Sequence, residues 1–205
     1  MKVAGILLAG GQSRRMGGGD KCLRLLGGRT ILDRVIARAR PQVAALALNA
    51  NGDAARFAEF GLPVVADSIA DFAGPLAGVL AGLDWAAAHV PQCSHVASFA
   101  TDAPFPPADL VCRLVAAAKA ESAELACAAS DGRSHPVFGL WPMALREALR
   151  HAVREEGIRK VDAWTGRYRL AVAEYGTEPF DPFFNTNRPE DLAAAERLAA
   201  AHDLH

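Results

Sequence analysis

Short apolar runs at residues 3–9, 43–48, 62–66 and 95–100 end in glycine-, asparagine- or aspartate-containing turns, and helical patterns fill most of the intervals between them. That rhythm constrains the fold more than any other feature. Strands that are apolar on both faces and separated by helices pack as a parallel sheet with right-handed crossovers and a helical layer on each side. In such sheets ligands bind beyond the carboxyl ends of the strands, so residues far apart along the chain can meet at one rim. The glycine-rich residues 10–19, Asn49, Asp67 and Asp102 all follow strand ends. The expected architecture is a single domain over residues 1–205, a three-layer, Rossmann-like α/β fold whose mostly parallel mixed sheet has helices on both faces. Its C-terminal part is expected to be an antiparallel addition.

The end of the first run carries most of the chemistry, in the order Gly10-Gly11-Gln12-Ser13-Arg14-Arg15-Met16-Gly17-Gly18-Gly19-Asp20-Lys21. Glycines there admit positive φ and let a ligand approach the backbone closely. Successive N–H groups in such a loop converge on an anion, and Arg14, Arg15 and Lys21 add formal charge. A polyphosphate is the natural guest; a tight, solvated turn is the plainer alternative. A Walker A loop needs Gly-Lys-Ser/Thr, but Asp20 separates Gly19 from Lys21 and Cys22 follows, and no Gly-x-Gly-x-x-Gly opens a helix here. A P-loop NTPase and an ordinary dinucleotide-binding dehydrogenase are therefore disfavoured.

A net charge of −1 and the lack of a long basic run exclude the usual nucleic-acid footprint, while leaving room for a local basic pocket. Cys22, Cys93, Cys112 and Cys127 are widely spaced, with no Cys-x-x-Cys pair, so idle thiols in a reducing compartment are expected. No apolar stretch is long enough to span a bilayer and the first run lacks a signal-peptide cleavage site, which points to the cytoplasm and away from membranes.

Further along, Thr30 with Asp33 predicts a helix start, and residues 53–60 a short helix. Asn49-Ala50-Asn51-Gly52 is a turn by default. Gly74-Pro75 opens another helix, on which Gly78 and Gly82 share a face suited to close packing on the sheet. Thr101-Asp102-Ala103-Pro104 sets a carboxylate at the end of a central strand, suited to Mg²⁺ or to capping a turn. Residues 107–122 read as a helix, and 123–129 with 135–141 as a hairpin. His135 is a candidate base or a packed histidine. Residues 144–154 and 157–164 read as helices and 167–175 as a late strand. Thr186 or Asn187 can cap a last helix that starts near Pro189.

Leu8-Ala9-Gly10-Gly11-Gln12-Ser13-Arg14-Arg15-Met16-Gly17 with Asp20-Lys21 resembles the signature loop of enzymes that transfer a nucleoside monophosphate from an NTP. Within them it most resembles the molybdenum cofactor guanylyltransferases, of the MobA type. Asn49, Asp67 with Gly74-Pro75-Leu76-Ala77-Gly78, Thr101-Asp102-Ala103-Pro104 and Asn185-Thr186-Asn187 match further motifs of that family in the same order, although Thr101 stands where relatives commonly carry Cys. The resemblance spans essentially the whole chain.

The resemblance implies a nucleotide-diphospho-sugar transferase-like fold and transfer of GMP from GTP to the terminal phosphate of molybdopterin, with pyrophosphate released. It implies that Leu8, Ala9, Gly10, Gly11, Gly17, Lys21, Asn49, Asp67 and Asp102 bind GTP. Lys21, Arg15 and Asp102 would carry catalysis, Asp102 as the ligand of the cofactor Mg²⁺. Arg159, Asn185 and Asn187 would face the acceptor; for Arg159 and Lys160 a plain exposed helix face is an equal alternative. Transient contact with proteins that deliver or receive the cofactor is a further expectation. Alternatives are a cytidylyltransferase for the same cofactor, which typically shows Leu-Ala-Ala-Gly where this chain has Leu8-Ala9-Gly10-Gly11, a sugar- or alcohol-phosphate nucleotidyltransferase, and a non-catalytic nucleotide sensor.

Overall fold

A computed structural model describes residues 1–9, 20–69 and 74–202. Its main sheet comprises β1 (Val3–Leu8), β2 (Leu46–Asn49), β3 (Val64–Val65), β4 (His95–Ala100), β5 (Leu125–Ser130), β6 (Arg133–Pro142) and β7 (Leu170–Tyr175). In space they lie in the order β3-β2-β1-β4-β6-β5-β7. β1 pairs in parallel with both β2 and β4, Leu8 facing Asn49 on one side and Ala100 on the other. The ends of these three strands therefore reach the same rim.

The C-terminal part departs from expectation. β6 runs antiparallel to β4 and β5, closing the expected hairpin, but β7 pairs in parallel with β5. The antiparallel addition is thus a single strand within the sheet. The segment after β6 holds α4 (Arg146–Arg154) and α5 (Val161–Thr165), which act as a crossover and return the chain in its original direction.

Side chains alternate along β1 between two cores. Val3 and Leu7 pack with α1 (Ile31–Ala39), α3 (Leu110–Ala120) and α6 (Pro189–Ala201), while Ala4 and Ile6 pack with α2 (Pro75–His89), α4 and α5. That is the three-layer arrangement, helices on both faces of one sheet. The Thr30 hydroxyl accepts the Asp33 N–H at 3.0 Å and so caps α1. Ahead of it, Gly27 and Gly28 take φ of 57° and 80° in a small hairpin of Leu25–Leu26 with Arg29–Thr30.

Residues 54–60 form a 3₁₀ helix, and α3 begins at Leu110 rather than 107. Pro106 and Pro107 cannot donate to a first turn, and the Leu110 N–H reaches the Pro107 carbonyl. α2 rests directly on β1, since a Cβ on Gly82 would come 2.8 Å from that of Ile6. No helix among the described residues is long and apolar enough to cross a membrane.

Candidate active site

Three chain segments meet beyond the end of β4. Lys21 opens a short 3₁₀ turn, Lys21–Leu23, after the glycine-rich stretch, and its Nζ lies 3.2 Å from Asp102 Oδ2. The same ammonium donates to Asn187 Oδ1, from the segment just before α6. The Lys21 side chain is only 12% exposed, so its charge acts in a medium less screening than bulk water.

The Asp102 backbone is fixed from two sides. The Thr101 hydroxyl donates to the Leu8 carbonyl at 2.9 Å, locking the end of β4 to the end of β1. Both the N–H and the hydroxyl of Thr186 donate to the Asp102 carbonyl, at 2.8 and 3.0 Å. Thr186 is fully buried. This corrects the expectation that Thr186 or Asn187 caps the last helix: Asp191 reaches back instead, its carboxylate accepting the N–H groups of Asn187 and Arg188 at 2.9 and 2.8 Å. The side chains of Thr186 and Asn187 are thereby available to the site.

A second cluster lies across β1. Buried Asn49, at the end of β2, donates through Nδ2 to Asp67 Oδ1 at 2.9 Å and to the Val65 carbonyl at 3.2 Å. Asn51 holds the other side of that residue, its Nδ2 donating to Asp67 Oδ2 at 2.7 Å and its Oδ1 accepting the Asp67 N–H at 2.9 Å. Two amides thus fix one carboxylate in orientation. Gly78 of α2 leaves room for the Asn49 amide, because a Cβ there would collide with it and with Leu8 Cδ2 at 2.8 Å. The Ala9 N–H donates to the Asn49 carbonyl at 2.9 Å, so that donor already has a partner within the fold.

Sequence reasoning did not anticipate Arg56. From the 3₁₀ helix after β2, its Nε lies 2.5 Å from Asp20 Oδ2, and its remaining nitrogens donate to the carbonyls of Asn51, at 2.6 Å, and Asp53. An arginine three residues after a loop aspartate carries no periodic signal. Only its partner, on another segment, sets it apart.

Of the other expected residues, Gly10, Gly11, Arg15 and Gly17 lie outside the described residues. Asn185 lies two residues before Asn187 and is half-buried. Arg159 is exposed and precedes α5 rather than lying in a helix, its carbonyl 3.6 Å from where a Cβ on Gly74 would stand. His135 is packed: its Nε2 lies 2.7 Å from Ser130 Oγ and its ring stacks on Phe183 at 4.6 Å. Because Ser130 donates its single proton to Asp181 Oδ1 at 3.0 Å, the bond from Nε2 must be donated by the histidine. Burial holds the imidazole below its usual pKa, against the opposing pull of Asp181.

Behind Lys21, burial and then the charge of Asp20 push the Cys22 thiol up to about 12, and burial pushes Cys127 up to about 11. Thiols held protonated in this way are poor nucleophiles. Among the described residues no three His, Cys, Asp or Glu gather into a closed metal cage. Asp102 Oδ2 and Asn187 Oδ1 nevertheless converge on one cation, the Lys21 ammonium. Such a sparse, hard-oxygen pair suits a divalent ion whose other ligands are water and phosphate.

The family described as the MobA-like NTP transferase domain matches residues 5–171. A molybdenum cofactor guanylyltransferase of Bradyrhizobium sp. (strain ORS 278) is 59% identical over 201 residues, covering 98% of this chain and 95% of that protein. One from Nitrobacter hamburgensis is 59% identical over 196 residues, covering 96% and 94%. Among solved structures, molybdopterin-guanine dinucleotide biosynthesis protein A from Archaeoglobus fulgidus superposes with a TM-score of 0.73 at 23% identity, over 98% of this chain and 100% of that one. The 2-C-methyl-D-erythritol 4-phosphate cytidylyltransferase of Thermus thermophilus gives 0.65 at 25% identity, over 98% and 100%.

Proposed function

The chain belongs to the molybdenum cofactor guanylyltransferases, within the MobA-like NTP transferase family, and from that premise we propose that it transfers GMP from GTP to the terminal phosphate of molybdopterin. An oxygen of the acceptor phosphate attacks the α-phosphorus of GTP, a new P–O–P linkage forms, and the bond to the β-phosphate breaks to release pyrophosphate. The acceptor oxygen is already anionic, so no enzyme nucleophile is needed. What the protein supplies is positioning and charge.

The observation that carries this reading is the convergence of Lys21, Asp102 and Asn187, 3.2 Å separating the ammonium from the carboxylate. On binding GTP, Lys21 exchanges the carboxylate for phosphate oxygens and, with Arg15 and the amides of Gly10, Gly11 and Gly17, offsets charge gathering on the α-phosphate and the leaving group. Asp102, with Asn187 beside it, holds Mg²⁺, which neutralises phosphate charge when bound. Asn49, Asp67 and the backbone of Leu8, Ala9 and Gly10 seat the nucleoside, and Arg159, Asn185 and Asn187 face the anionic acceptor. The reaction runs in the cytoplasm, with transient contacts to the proteins that deliver and receive the cofactor.

Two measurements test this. Incubating the protein with molybdopterin, Mg²⁺ and GTP labelled at the α-phosphate should move label into a dinucleotide, and EDTA should stop it. A melting series with GTP, CTP, ATP and UTP, each with Mg²⁺, should show GTP raising the midpoint most, since a ligand at a hundred times its Kd adds about 2.7 kcal/mol of stability. A larger shift with CTP would instead make the chain a cytidylyltransferase. Label that stays in GTP, or a set of four null shifts, overturns the proposal.

A further inference from the structure

An aspartate beside a triphosphate site is an electrostatic anomaly. Asp20 directly precedes Lys21, at the end of a stretch whose other charged side chains, Arg14 and Arg15, are cationic. A bare carboxylate there would repel the anion that its neighbour attracts. In the folded chain it is not bare, because Arg56 Nε stands 2.5 Å from Asp20 Oδ2.

The same guanidinium is held to its own loop by the carbonyls of Asn51 and Asp53. Asn51 in turn grips Asp67 by both side-chain and backbone bonds, and Asp67 grips Asn49. A continuous polar line therefore runs Asp20, Arg56, Asn51, Asp67, Asn49. It joins the residue next to Lys21 to the far cluster across β1. The Arg56 guanidinium also lies over the Phe57 ring at 4.6 Å, and Phe57 is buried, so the planar group has a fixed backing.

We infer that Arg56 is a positioning residue for the reaction: it neutralises Asp20 and ties the end of the glycine-rich segment to the turn carrying Asn51, so that the triphosphate and nucleoside ends of the site stay in register. This rests on the guanylyltransferase reading for the identity of the ligand. Asp20 is the tether through which Arg56 acts, and Arg56 itself does not touch the reacting atoms.

The experiment is a double-mutant cycle of Arg56→Met and Asp20→Asn, read by KM for GTP, kcat and melting temperature in the full chain. Arg56→Met leaves the carboxylate unpaired, and KM for GTP should rise about tenfold, the size of one like-charge contact only partly screened by solvent. Asp20→Asn in the Arg56→Met background should bring most of that loss back, a non-additive result. Arg56→Lys, which keeps the charge but not the three-way fork, should recover KM more than kcat.

Additive losses, or an Arg56→Met protein with unchanged KM for GTP, overturn the inference. A lowered melting temperature with the same KM for GTP assigns Arg56 to folding alone and overturns it equally. The wild-type control separates the two readings. Absent GTP turnover there overturns the guanylyltransferase assignment and the inference resting on it, whereas normal wild-type turnover with an additive cycle overturns only the role of Arg56.

Discussion

At the scale of single residues, the site depends on side chains whose partners are distant in sequence. Lys21→Ala removes the one described ammonium beside Asp102 and should cost on the order of a hundredfold in turnover, by analogy with the loss of one preorganised charge-stabilising donor. A folded Lys21→Ala enzyme with full turnover would refute that role. Thr186→Val is a finer probe. It keeps the N–H bond to the Asp102 carbonyl and deletes only the hydroxyl bond at 3.0 Å, in a fully buried position. Urea denaturation should show a loss of about 1 kcal/mol, the net worth of one buried hydrogen bond. If Thr186 also sets the carboxylate, kcat should fall severalfold while KM for GTP stays constant.

At the scale of elements, α2 offers a contrast between two glycines one turn apart. Gly78 faces the Asn49 amide and Leu8, at the rim, whereas the nearest atoms to Gly82 are those of Ile6, under the helix. An added methyl at either place forces the helix off the sheet, and each alanine variant should lose about 1–3 kcal/mol to overpacking. Only Gly78→Ala should also raise KM for GTP, because it displaces Asn49. Equal effects of the two on KM would mean that the helix moves as a rigid body and that Asn49 has no separate role. The β5–β6 hairpin follows the same logic at lower stakes: the Ser130, His135 and Asp181 chain of hydrogen bonds pins residues 181–183, three residues ahead of Thr186 at the nearest.

At the scale of the whole molecule, buried thiols couple stability to pH. An unfolded cysteine ionises near its ordinary value of 9.0, while burial holds Cys22 up to about 12 and Cys127 up to about 11. Between those limits the unfolded chain has released protons that the folded chain retains, so stability is fully present below about pH 9 and falls as pH rises towards 11–12. Urea midpoints measured at pH 8, 9.5 and 10.5 should decline, and Cys22→Ala should flatten the slope. A slope identical in that variant would show that other groups carry it. Near neutral pH a thiol-alkylating reagent should label Cys112, the exposed cysteine, and spare the buried Cys22, Cys93 and Cys127.

Much of this was legible before any coordinates. Apolar runs bounded by turn residues reveal a doubly covered, mostly parallel sheet that puts Asn49, Asp67 and Asp102 at strand ends along one rim, while the parts given to Asn49 and Asp67 come from the family resemblance, since an asparagine turn alone reads as a turn. Periodicity and turn chemistry are local properties, carried by neighbouring residues. The direction of β7, the two hydrogen bonds from Thr186 to the Asp102 carbonyl, and the grip of Arg56 on Asp20 have no such local trace. Each depends on two segments brought together by packing over tens of residues, and a threonine before a helix or an arginine after a loop looks the same in sequence whether it caps, solvates or fastens an active site.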